Sequence, residues 1–570
     1  MAAFENLGDL IRRDRDLNKA AIVDLGGETV PREFTYAQLD AMAMGMARAL
    51  TARGLKRGDR VAILSANRAE YLAAYYGIMR AGFVAVPVNY RFPRQTIHFI
   101  LADSGAKFVF CDAKRRADCP SELPTICFGT LSPSPGGGGR RRPSAAVLDV
   151  KNADAKHRLW SVASRGGVNG EVGRSPPPDA LRASTSPLQG EVKKPISVES
   201  FDEFLELGEF ETIVATGNEP AMFLYTSGST GTPKGVVLSH QSHIWVVETR
   251  LEGQDLSGQR YLVAAPLYHM NALALSKLAC AAHATIVLLP QFIARAYIEA
   301  IGRYHVTWLT AVPPMIAMML REIDVLARND LSSVKSVRMG SAPVSASLMA
   351  GIRRTLPQAA VTNAYGTTEA GPVVFGPHPK GLPQPELSVG YPHPKVQLRL
   401  VDGDDRNAAQ GVLEMKCPAV MIGYHNRPDV PTPITADGFY ITGDVFRCDE
   451  NGFHYFVGRT DDMFVSGGEN IYPADVERML ERHPDVAQAA VVPIDDEIKG
   501  QKPVAFVIRK AGHAPSEDDI KQFALANAPA YQHPRFVWFV DELPLASTNK
   551  VDRVALKRMA TERLLSIGER

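Results

Sequence analysis

The first hundred residues alternate between helix-like and strand-like patterns of apolar positions. Residues 35–38 (TYAQ) match a capping box, and the apolar residues that follow recur on one helical face. These residues are Leu39, Met42, Met46, Ala49 and Leu50, and Gly54 follows at a position suited to ending the helix. Short apolar runs at 61–64, 83–88 and 107–111 predict strands. The alternation predicts an α/β domain built on a parallel sheet.

The last hundred residues follow a different order of elements. Their pattern predicts helices near 474–482 and 516–526, and strands near 486–494, 504–508 and 536–540. This order is typical of an α+β domain. We therefore predict two domains, a large one over residues 1–458 and a small one over residues 462–570.

Residues 131–198 interrupt the large domain with sequence rich in glycine, proline and arginine. The segment shows very little apolar periodicity, which predicts disorder. Its 11 Lys and Arg residues exceed its 5 Asp and Glu residues, so one interpretation is an electrostatic contact with nucleic acid or membrane. We favour the other interpretation, an exposed insertion that is tolerated because long surface loops add little closure cost.

The overall composition is typical of a soluble globular protein with several domains. Of 570 residues, 45% are apolar, and the net charge of +1 provides no general attraction for nucleic acid or anionic membranes. The six cysteines show no CxxC pair or metal-ligand spacing, as expected of free thiols in a reducing cytosol. Glu5 and Asp9 interrupt the region where a signal peptide needs an apolar core, and polar residues interrupt the most apolar long window, 263–290. We expect a cytoplasmic protein without nucleic-acid partners or stable membrane insertion.

A loop rich in glycine and hydroxyl groups, YTSGSTGTPKG at 225–235, lies between apolar runs at 221–225 and 236–238 that predict strands. Its glycines let backbone amides turn toward an anion, its hydroxyls can donate to phosphate oxygens, and Lys234 adds positive charge. The spacing differs from that of a P-loop, and the chain has no GxGxxG motif. The loop therefore predicts a nucleoside triphosphate site of another type.

The loop resembles the phosphate-binding signature of the adenylate-forming superfamily, which includes acyl- and aryl-CoA synthetases, amino-acid adenylation domains and firefly luciferase. Further motifs of the acyl/aryl-CoA synthetase branch follow in the family's order, and the resemblance covers nearly everything outside 131–198. It implies a large N-terminal α/β domain of several subdomains, joined by a hinge to a small, mobile C-terminal α+β domain. It also implies nucleotide binding by Thr226, Ser227, Gly228, Ser229, Thr230, Gly231 and Lys234, with Thr226 among the catalytic residues.

Two motifs resemble those that surround adenine and phosphate in the family. MGSAP at 339–343 resembles the turn lining the adenine pocket, which implies binding roles for Gly340, Ser341, Ala342 and Pro343. AYGTTE at 364–369 resembles YGxTE, which implies roles for Tyr365 near adenine, Gly366, Thr367, Thr368 at the α-phosphate and Glu369 on Mg²⁺. Mg²⁺ takes few protein carboxylates and leaves other positions to water and phosphate, which agrees with one glutamate. Taken alone, the first motif is equally well explained as a structural turn, and a lone glutamate as a surface residue.

Two later motifs resemble the family's ribose site and hinge. YITGD at 440–444 resembles YxTGD, in which Asp444 would accept hydrogen bonds from both ribose hydroxyls, although an isolated TGD is more often a turn. The stretch 458–473 resembles the hinge region, which implies that Arg459 contacts ribose and phosphate and that Asp461 is the hinge. It also implies that Gly467 and Gly468 lie along the path of CoA.

Two further segments carry candidate catalytic residues. PLASTNKVDR at 544–553 resembles the loop of the catalytic lysine, here Lys550. Most family members have glycine where this chain has Asn549, a residue that tolerates left-handed backbone angles. PLYH at 266–269 resembles a segment that borders the acyl site, so His269 is a candidate gate; the alternative is a buried structural histidine.

The resemblance implies an AMP-forming acid:CoA ligase that uses MgATP to convert a carboxylic acid into an acyl-adenylate and then into an acyl-CoA. Apolar residues near Leu273, 312–315 and 371–375 suggest an uncharged fatty or aromatic acid. One alternative is delivery of the acyl group to a carrier protein, but no carrier domain follows residue 570, and the insertion precedes the phosphate loop, so we expect CoA. A non-catalytic nucleotide-binding homologue is the second alternative, and luciferase-like oxidation has no positive signal. The oligomeric state stays open, with a homodimer among the options.

Overall fold

The computed structural model describes residues 4–26, 31–129, 199–227, 233–342, 344–546 and 549–568. Several predictions lie outside these ranges: the insertion at 131–198, the loop residues Gly228, Ser229, Thr230 and Gly231, and Pro343. They stay predictions.

The large domain is built on twenty-one strands within the described residues. Up to the phosphate loop they are β1 Ala20–Asp24, β2 Arg32–Thr35, β3 Arg60–Leu64, β4 Val84–Pro87, β5 Ala106–Asp112, β6 Thr125–Phe128, β7 Glu199–Ser200 and β8 Pro220–Ser227. After it they are β9 Pro233–Ser239, β10 Arg260–Val263, β11 Thr285–Leu288, β12 Trp308–Ala311, β13 Ser336–Gly340, β14 Ala360–Ala364, β15 Phe375–Gly376, β16 Tyr391–Pro392, β17 Gln397–Val401, β18 Gln410–Lys416, β19 Gly423–His425, β20 Tyr440–Cys448 and β21 His454–Arg459.

Helices of the large domain connect these strands. They span Tyr36–Ala52, Ala69–Arg80, Arg94–Asp103, Phe201–Phe204, His240–Leu251, Met270–Ala281, Ala294–Arg303, Pro313–Arg321, Ile323–Arg328 and Ala346–Thr355, with a 3₁₀ helix at Ala113–Asp118. In the first of them the predicted capping box is confirmed, because Thr35 and Gln38 each accept a hydrogen bond from the other's backbone amide. The helix buries Leu39, Met42, Met46, Ala49 and Leu50, as predicted.

Two large sheets form the core of the large domain. A 7-stranded sheet has the order β14-β13-β12-β10-β11-β1-β2, and its ladders are parallel except for β1–β2. An 8-stranded sheet has the order β19-β9-β8-β4-β3-β5-β6-β7, parallel apart from the ladders of β9. The predicted strands at 61–64, 83–88 and 107–111 are therefore confirmed as β3, β4 and β5, within one or two residues. Two smaller sheets, of the orders β17-β18-β20-β21 and β15-β16, complete the strands of the large domain.

The small domain is a separate α+β unit. Its sheet has the order β23-β22-β25-β24, with β26 paired to β25, formed by β22 Phe464–Ser466, β23 Glu469–Ile471, β24 Val486–Asp496, β25 Gly500–Arg509 and β26 Phe536–Phe539. Its helices are Pro473–Leu480, Glu517–Asn527 and Arg553–Gly568, with a 3₁₀ helix at Ala530–Gln532. The predicted helices and strands of this region are confirmed within a few residues. Sheet membership changes between Arg459, the end of β21, and Phe464, the start of β22, and the domain boundary at 458–462 stays a prediction.

Long apolar helices that could cross a bilayer do not occur within the described ranges.

Candidate active site

A cavity of about 1610 Å³ between the two domains brings together most of the predicted site residues. From the large domain it is lined by Thr226, Lys234, His269, Gly340, Ser341, Ala342, Tyr365, Gly366, Thr367, Thr368, Glu369 and Asp444. Arg459 and Asp461 at the domain junction, and Lys550 of the small domain, complete this set. Residues that are up to 324 positions apart in the chain thus meet around one space.

The described ends of the phosphate loop form an antiparallel hairpin. Strands β8 and β9 pair along their length, and Thr226 lies opposite Lys234. A hydroxyl and an ammonium therefore enter the cavity side by side from the base of the loop. Ser227 is the last residue of β8, and its role in binding the nucleotide stays a prediction.

The adenine-turn motif and the YGTTE motif follow neighbouring parallel strands. Gly340 ends β13 and lies opposite Ala364 at the end of β14. Carboxyl ends of parallel strands share one edge of a sheet, which is where ligands bind in open α/β folds. A Cβ atom on Gly340 would lie 2.7 Å from the carbonyl oxygen of Ala364, so this approach requires glycine. The next residue, Ser341, has a φ of 67°, an uncommon conformation for a residue with a side chain.

A tight turn presents Thr368 and Glu369 to the cavity. Thr367 and Gly371 exchange two backbone hydrogen bonds of 3.3 and 3.0 Å, and the Thr367 hydroxyl accepts another from the amide of Ala370. Gly366 precedes this turn, where a Cβ atom would come within 2.7 Å of the Cα atom of Pro372. The turn is thus fixed by backbone contacts, and it determines where the glutamate carboxylate lies.

Glu369 is a partly buried carboxylate whose neighbour was missed by sequence reasoning. The hydroxyl of Tyr424 donates to Glu369 Oε1 over 3.4 Å, and the Tyr424 ring centroid lies 5.4 Å from Lys234 Nζ. Burial raises the pKa of Glu369, an effect that the Tyr424 hydrogen bond opposes. No cationic side chain of the described residues forms an ion pair with this carboxylate, so its oxygens stay available to a cation in the cavity. This donor chemistry fits Mg²⁺, which prefers carboxylate oxygen and few protein ligands.

Asp444 and Arg459, the two residues predicted to contact ribose, form an ion pair at the cavity. They lie opposite each other on β20 and β21, and an Arg459 guanidinium nitrogen is 3.0 Å from Asp444 Oδ1. Tyr365 donates a hydrogen bond to the other oxygen of Asp444. Burial raises the pKa of Asp444, while Arg459 and Tyr365 oppose that rise. The same guanidinium binds the carboxylate of Asp461, with its Nε 2.7 Å from Oδ1.

Lys550 reaches the cavity from a short loop of the small domain. Asn549 before it has a φ of 60°, in the left-handed region that glycine and asparagine adopt most readily. The turn is closed by backbone hydrogen bonds between Ala546 and Lys550 of 2.7 Å and from Asn549 to Ala546 of 2.9 Å. Asparagine in place of the family's glycine is thus compatible with a lysine that points into the site. The pKa of Lys550 is lowered, first by loss of hydration within the protein and then by the charge of Arg459. The carboxylates of Asp444 and Glu369 oppose this effect.

His269 lines the cavity immediately before the helix Met270–Ala281. Its Nε2 atom is buried and has no hydrogen-bond partner among the described residues. Burial, together with the charges of Lys550 and Arg91, lowers its pKa to about 3, so the ring is neutral near pH 7. The ring packs against Tyr268, with the two centroids 4.6 Å apart, and its role as a gate stays a prediction.

The two predicted CoA-path glycines lie away from the cavity. Gly467 and Gly468 form the turn between β22 and β23, with φ values of 63° and 92°. Neither belongs to the cavity lining, so the structure does not join them to the other predicted residues in this arrangement of the domains.

The acid end of the cavity differs from the apolar pocket that the sequence suggested. Val312, Pro313, Pro314 and Met315 line the cavity as predicted, but Leu273 is packed in the large-domain core. Within 371–375, Pro372 contributes to the lining. Arg338 and Thr310 line it as well, and sequence reasoning missed both. The alternation along β13 could have indicated Arg338. Val337 and Met339 are buried, and Arg338 between them lies on the opposite face of the strand.

The comparisons with protein families agree with this geometry. The family model of AMP-binding enzymes matches residues 12–425, and the model of the AMP-binding enzyme C-terminal domain matches residues 475–550. The chain is 29% identical over 538 residues to the fatty acid–[acyl-carrier-protein] ligase ScoC of Streptomyces coeruleorubidus, with 92% of this chain and 91% of that protein covered. It is also 29% identical over 551 residues to 4-coumarate–CoA ligase 2 of Oryza sativa subsp. japonica, covering 92% and 87%.

A solved structure shows the same fold. The crystal structure of ATP-bound MatB from Rhodopseudomonas palustris matches with a TM-score of 0.75 at 24% identity, covering 97% of this chain and 98% of that one. The family model covers well over half of the sequence, and the motifs that resemble the superfamily line one cavity. The chain belongs to the family of AMP-binding enzymes.

Proposed function

We propose that this protein is an AMP-forming acid:CoA ligase. A carboxylate is a poor acyl donor because its leaving group would be oxide, so the acid must first be activated. One carboxylate oxygen would attack the α-phosphorus of ATP and release pyrophosphate, which gives an acyl-adenylate. The thiolate of CoA would then attack the acyl carbonyl and release AMP.

The observation that carries the proposal is the meeting of Lys550 with Glu369, Asp444 and Arg459 around one cavity. The small domain supplies the lysine, and the large domain and junction supply the other three. A protein that only bound nucleotide would not need a lysine delivered from a second domain to the phosphate side of the site. The geometry therefore supports catalysis over the non-catalytic alternative.

The first step brings two anions together, so positive charge and fixed geometry are the main requirements. Lys550 would stabilise charge on the α-phosphate and the entering carboxylate, and Lys234 with Thr226 would hold the departing phosphates. Glu369 would hold Mg²⁺, which supplies charge neutralisation on the phosphates when bound. Asp444 would accept hydrogen bonds from the ribose hydroxyls, with Tyr365 and Arg459 fixing its carboxylate.

The second step requires a different domain arrangement in this scheme. Lys550 occupies the cavity here, while the turn of Gly467 and Gly468 lies away from it. We propose that rotation about Asp461 withdraws Lys550 and brings that turn to the path of CoA. Arg459, which binds both Asp444 and Asp461, would couple the nucleotide site to this hinge. His269 would border the acyl group as a neutral side chain.

CoA and a carrier protein remain the two candidate acceptors. The ScoC relative is named as a ligase for an acyl-carrier protein, and the Oryza sativa relative is named as a CoA ligase. We propose CoA, since the resemblance to acyl- and aryl-CoA synthetases extends through the hinge motif. We also propose a cytoplasmic location, where ATP and CoA are available and the six free cysteines stay reduced.

AMP release from MgATP tests the proposal over a panel of fatty and aromatic acids, each with and without CoA and with and without an acyl-carrier protein. Turnover that requires both an acid and CoA supports the ligase. Acid-dependent turnover that requires the carrier protein and not CoA would identify the carrier protein as the acceptor. No turnover with any acid would favour the non-catalytic homologue.

A further inference from the structure

An arginine and a threonine lie side by side at the acid end of the cavity. Arg338 on β13 is the register partner of Thr310 on β12, and both line the cavity. Directly paired residues of neighbouring strands point to the same face of a sheet, so the two polar groups form one patch. Strand β12 leads into the segment Val312–Met315, which also lines the cavity.

Among the described residues, the two polar groups of this patch have few hydrogen-bond partners. The Thr310 hydroxyl is buried without a hydrogen-bond partner among the described residues, and the residue is 8% exposed. Arg338 donates to the carbonyl oxygen of Pro372 over 3.2 Å, which leaves most of its five N–H donors for another partner. Within the described ranges, no Asp or Glu forms an ion pair with Arg338.

The charge that acts most directly on Arg338 has the same sign. Arg250, at the end of the helix His240–Leu251, adds to the effect of burial in lowering the pKa of Arg338 to about 9. Arg250 is itself without a carboxylate partner among the described residues, and burial lowers its pKa too. Two neighbouring guanidinium groups without a counter-ion are costly, because an arginine side chain stays protonated in proteins. An anion that entered this end of the cavity would remove that cost.

The nucleotide does not account for this anion site. Its phosphates are assigned to Thr226 and Lys234 on the hairpin, and its ribose to Asp444 on β20. Arg338 lies two residues before Gly340 of the predicted adenine turn, and it lines the cavity together with Val312–Met315, the residues predicted to contact the acid. An anion bound by Arg338 and Thr310 would therefore belong to the acid substrate rather than to the nucleotide.

We propose that the acid substrate is a dicarboxylic acid, whose second carboxylate is bound by Arg338 and Thr310. This inference rests on the proposed ligase function. Arg338 would bind the second carboxylate through paired N–H donors, and the Thr310 hydroxyl would donate to the same group. The apolar residues of 312–315 would contact the carbon skeleton between the two carboxylates.

Matched acid pairs test the inference. Benzene-1,4-dicarboxylate is compared with 4-acetylbenzoate, in which a methyl group replaces one carboxylate oxygen, and hexanedioate is compared with heptanoate. The readout is kcat/KM for pyrophosphate release at saturating MgATP. For at least one pair, kcat/KM for the diacid is expected to exceed that for the monocarboxylic partner about 10- to 150-fold, the range expected for a hydrogen bond to a charged group.

Two variants assign that preference to the patch. Arg338→Met is expected to reduce the diacid preference toward one, and Thr310→Val is expected to reduce it about 2- to 10-fold. Because each preference is a ratio within one protein, partial misfolding of a variant does not change it. Arg353→Met, a substitution at an exposed arginine bound to Glu386, is the control and should keep the wild-type ratio.

The outcomes separate the inference from the ligase function. If the monocarboxylic acids react as well as the diacids in the wild-type protein, recognition of a second carboxylate would be overturned, while the ligase function would stand. A preference that survives Arg338→Met, or an Arg338→Met variant that raises KM for ATP equally with both acids, would also overturn it. Absence of turnover with every acid would overturn the ligase function itself, and with it the inference.

Discussion

Arg459 and Asp444 form an ion pair of 3.0 Å at the junction of the two domains, on directly opposed residues of β20 and β21. The same arginine binds Asp461, so one guanidinium joins the predicted ribose-binding residue to the predicted hinge residue. The cavity and the domain junction therefore share a charged group.

Asp444→Asn tests the ribose assignment. The substitution removes a charged acceptor, so KM for ATP should rise about 10- to 150-fold. Initial rates of pyrophosphate release over a range of ATP concentrations measure it. Asp437→Asn, at a carboxylate that Arg399 holds outside the cavity, is the matched control and should leave KM unchanged. An Asp444→Asn protein with the wild-type KM for ATP would remove Asp444 from the ribose site.

Lys550→Ala tests the division of labour between the two steps. Loss of the ammonium should lower acid-dependent pyrophosphate release about 100- to 1,000-fold, by analogy with removal of one oxyanion-binding group. Thioester formation from a supplied acyl-adenylate and CoA should be spared, because the lysine is withdrawn for that step. Lys557→Ala, at an exposed lysine of the last helix, is the control. Equal loss of both steps would contradict the assigned role.

Tyr424→Phe tests the contact that the sequence did not predict. The Tyr424 hydrogen bond lowers the pKa of Glu369 against the effect of burial, so its loss should raise that pKa further. A metal ligand must be deprotonated, so the acid limb of the kcat/KM profile should shift to higher pH, and more Mg²⁺ should be needed for half-maximal rate. Tyr531→Phe in the small domain provides the comparison. The assignment fails if neither the pH profile nor the Mg²⁺ dependence moves.

Lys277→Met tests a buried charge outside the site. Lys277 is completely buried, its Nζ has no hydrogen-bond partner among the described residues, and burial lowers its pKa from 10.5 to about 7. Between these values the unfolded chain holds a proton that the folded protein lacks, so stability rises with pH, and below pH 7 the full cost persists. Replacement by methionine should raise the free energy of unfolding by about 1–3 kcal/mol at pH 7 and below, and by less toward pH 10.5.

Denaturant unfolding of the wild-type protein and the Lys277→Met variant at several pH values measures this difference. Lys557→Met, at an exposed site, should change stability little at any pH. A stability difference that does not vary between pH 7 and 10.5 would show that the titration of Lys277 is not its cause.

Deletion of residues 131–198 tests the interpretation of the insertion. Strand β6 before it and β7 after it are parallel neighbours, so a replacement linker of about a dozen residues is needed to connect them. AMP release by the shortened protein should match that of the full chain. A folded deletion protein without turnover would show that the insertion has a function.

Sequence patterns were enough to predict the fold class, the family and most residues of the candidate site. These features are local: a capping box, a glycine-rich turn or a YGTTE segment is set by neighbours in the chain, and each fixes a turn at the end of a strand. The conformation of Asn549 illustrates this, because the tolerance of asparagine for positive φ is a property of the residue itself.

Contacts between residues far apart in the chain depend on the tertiary structure. Tyr424 reaches Glu369 because β19 pairs with β9, across nearly two hundred residues, and no periodic pattern encodes that pairing. Arg338 and Thr310 become one patch only when β12 and β13 lie side by side, and the lack of an acidic partner for Arg338 among the described residues follows from the packing around these strands. Strand order and domain arrangement are global results of packing, and they fix which charges a buried group meets.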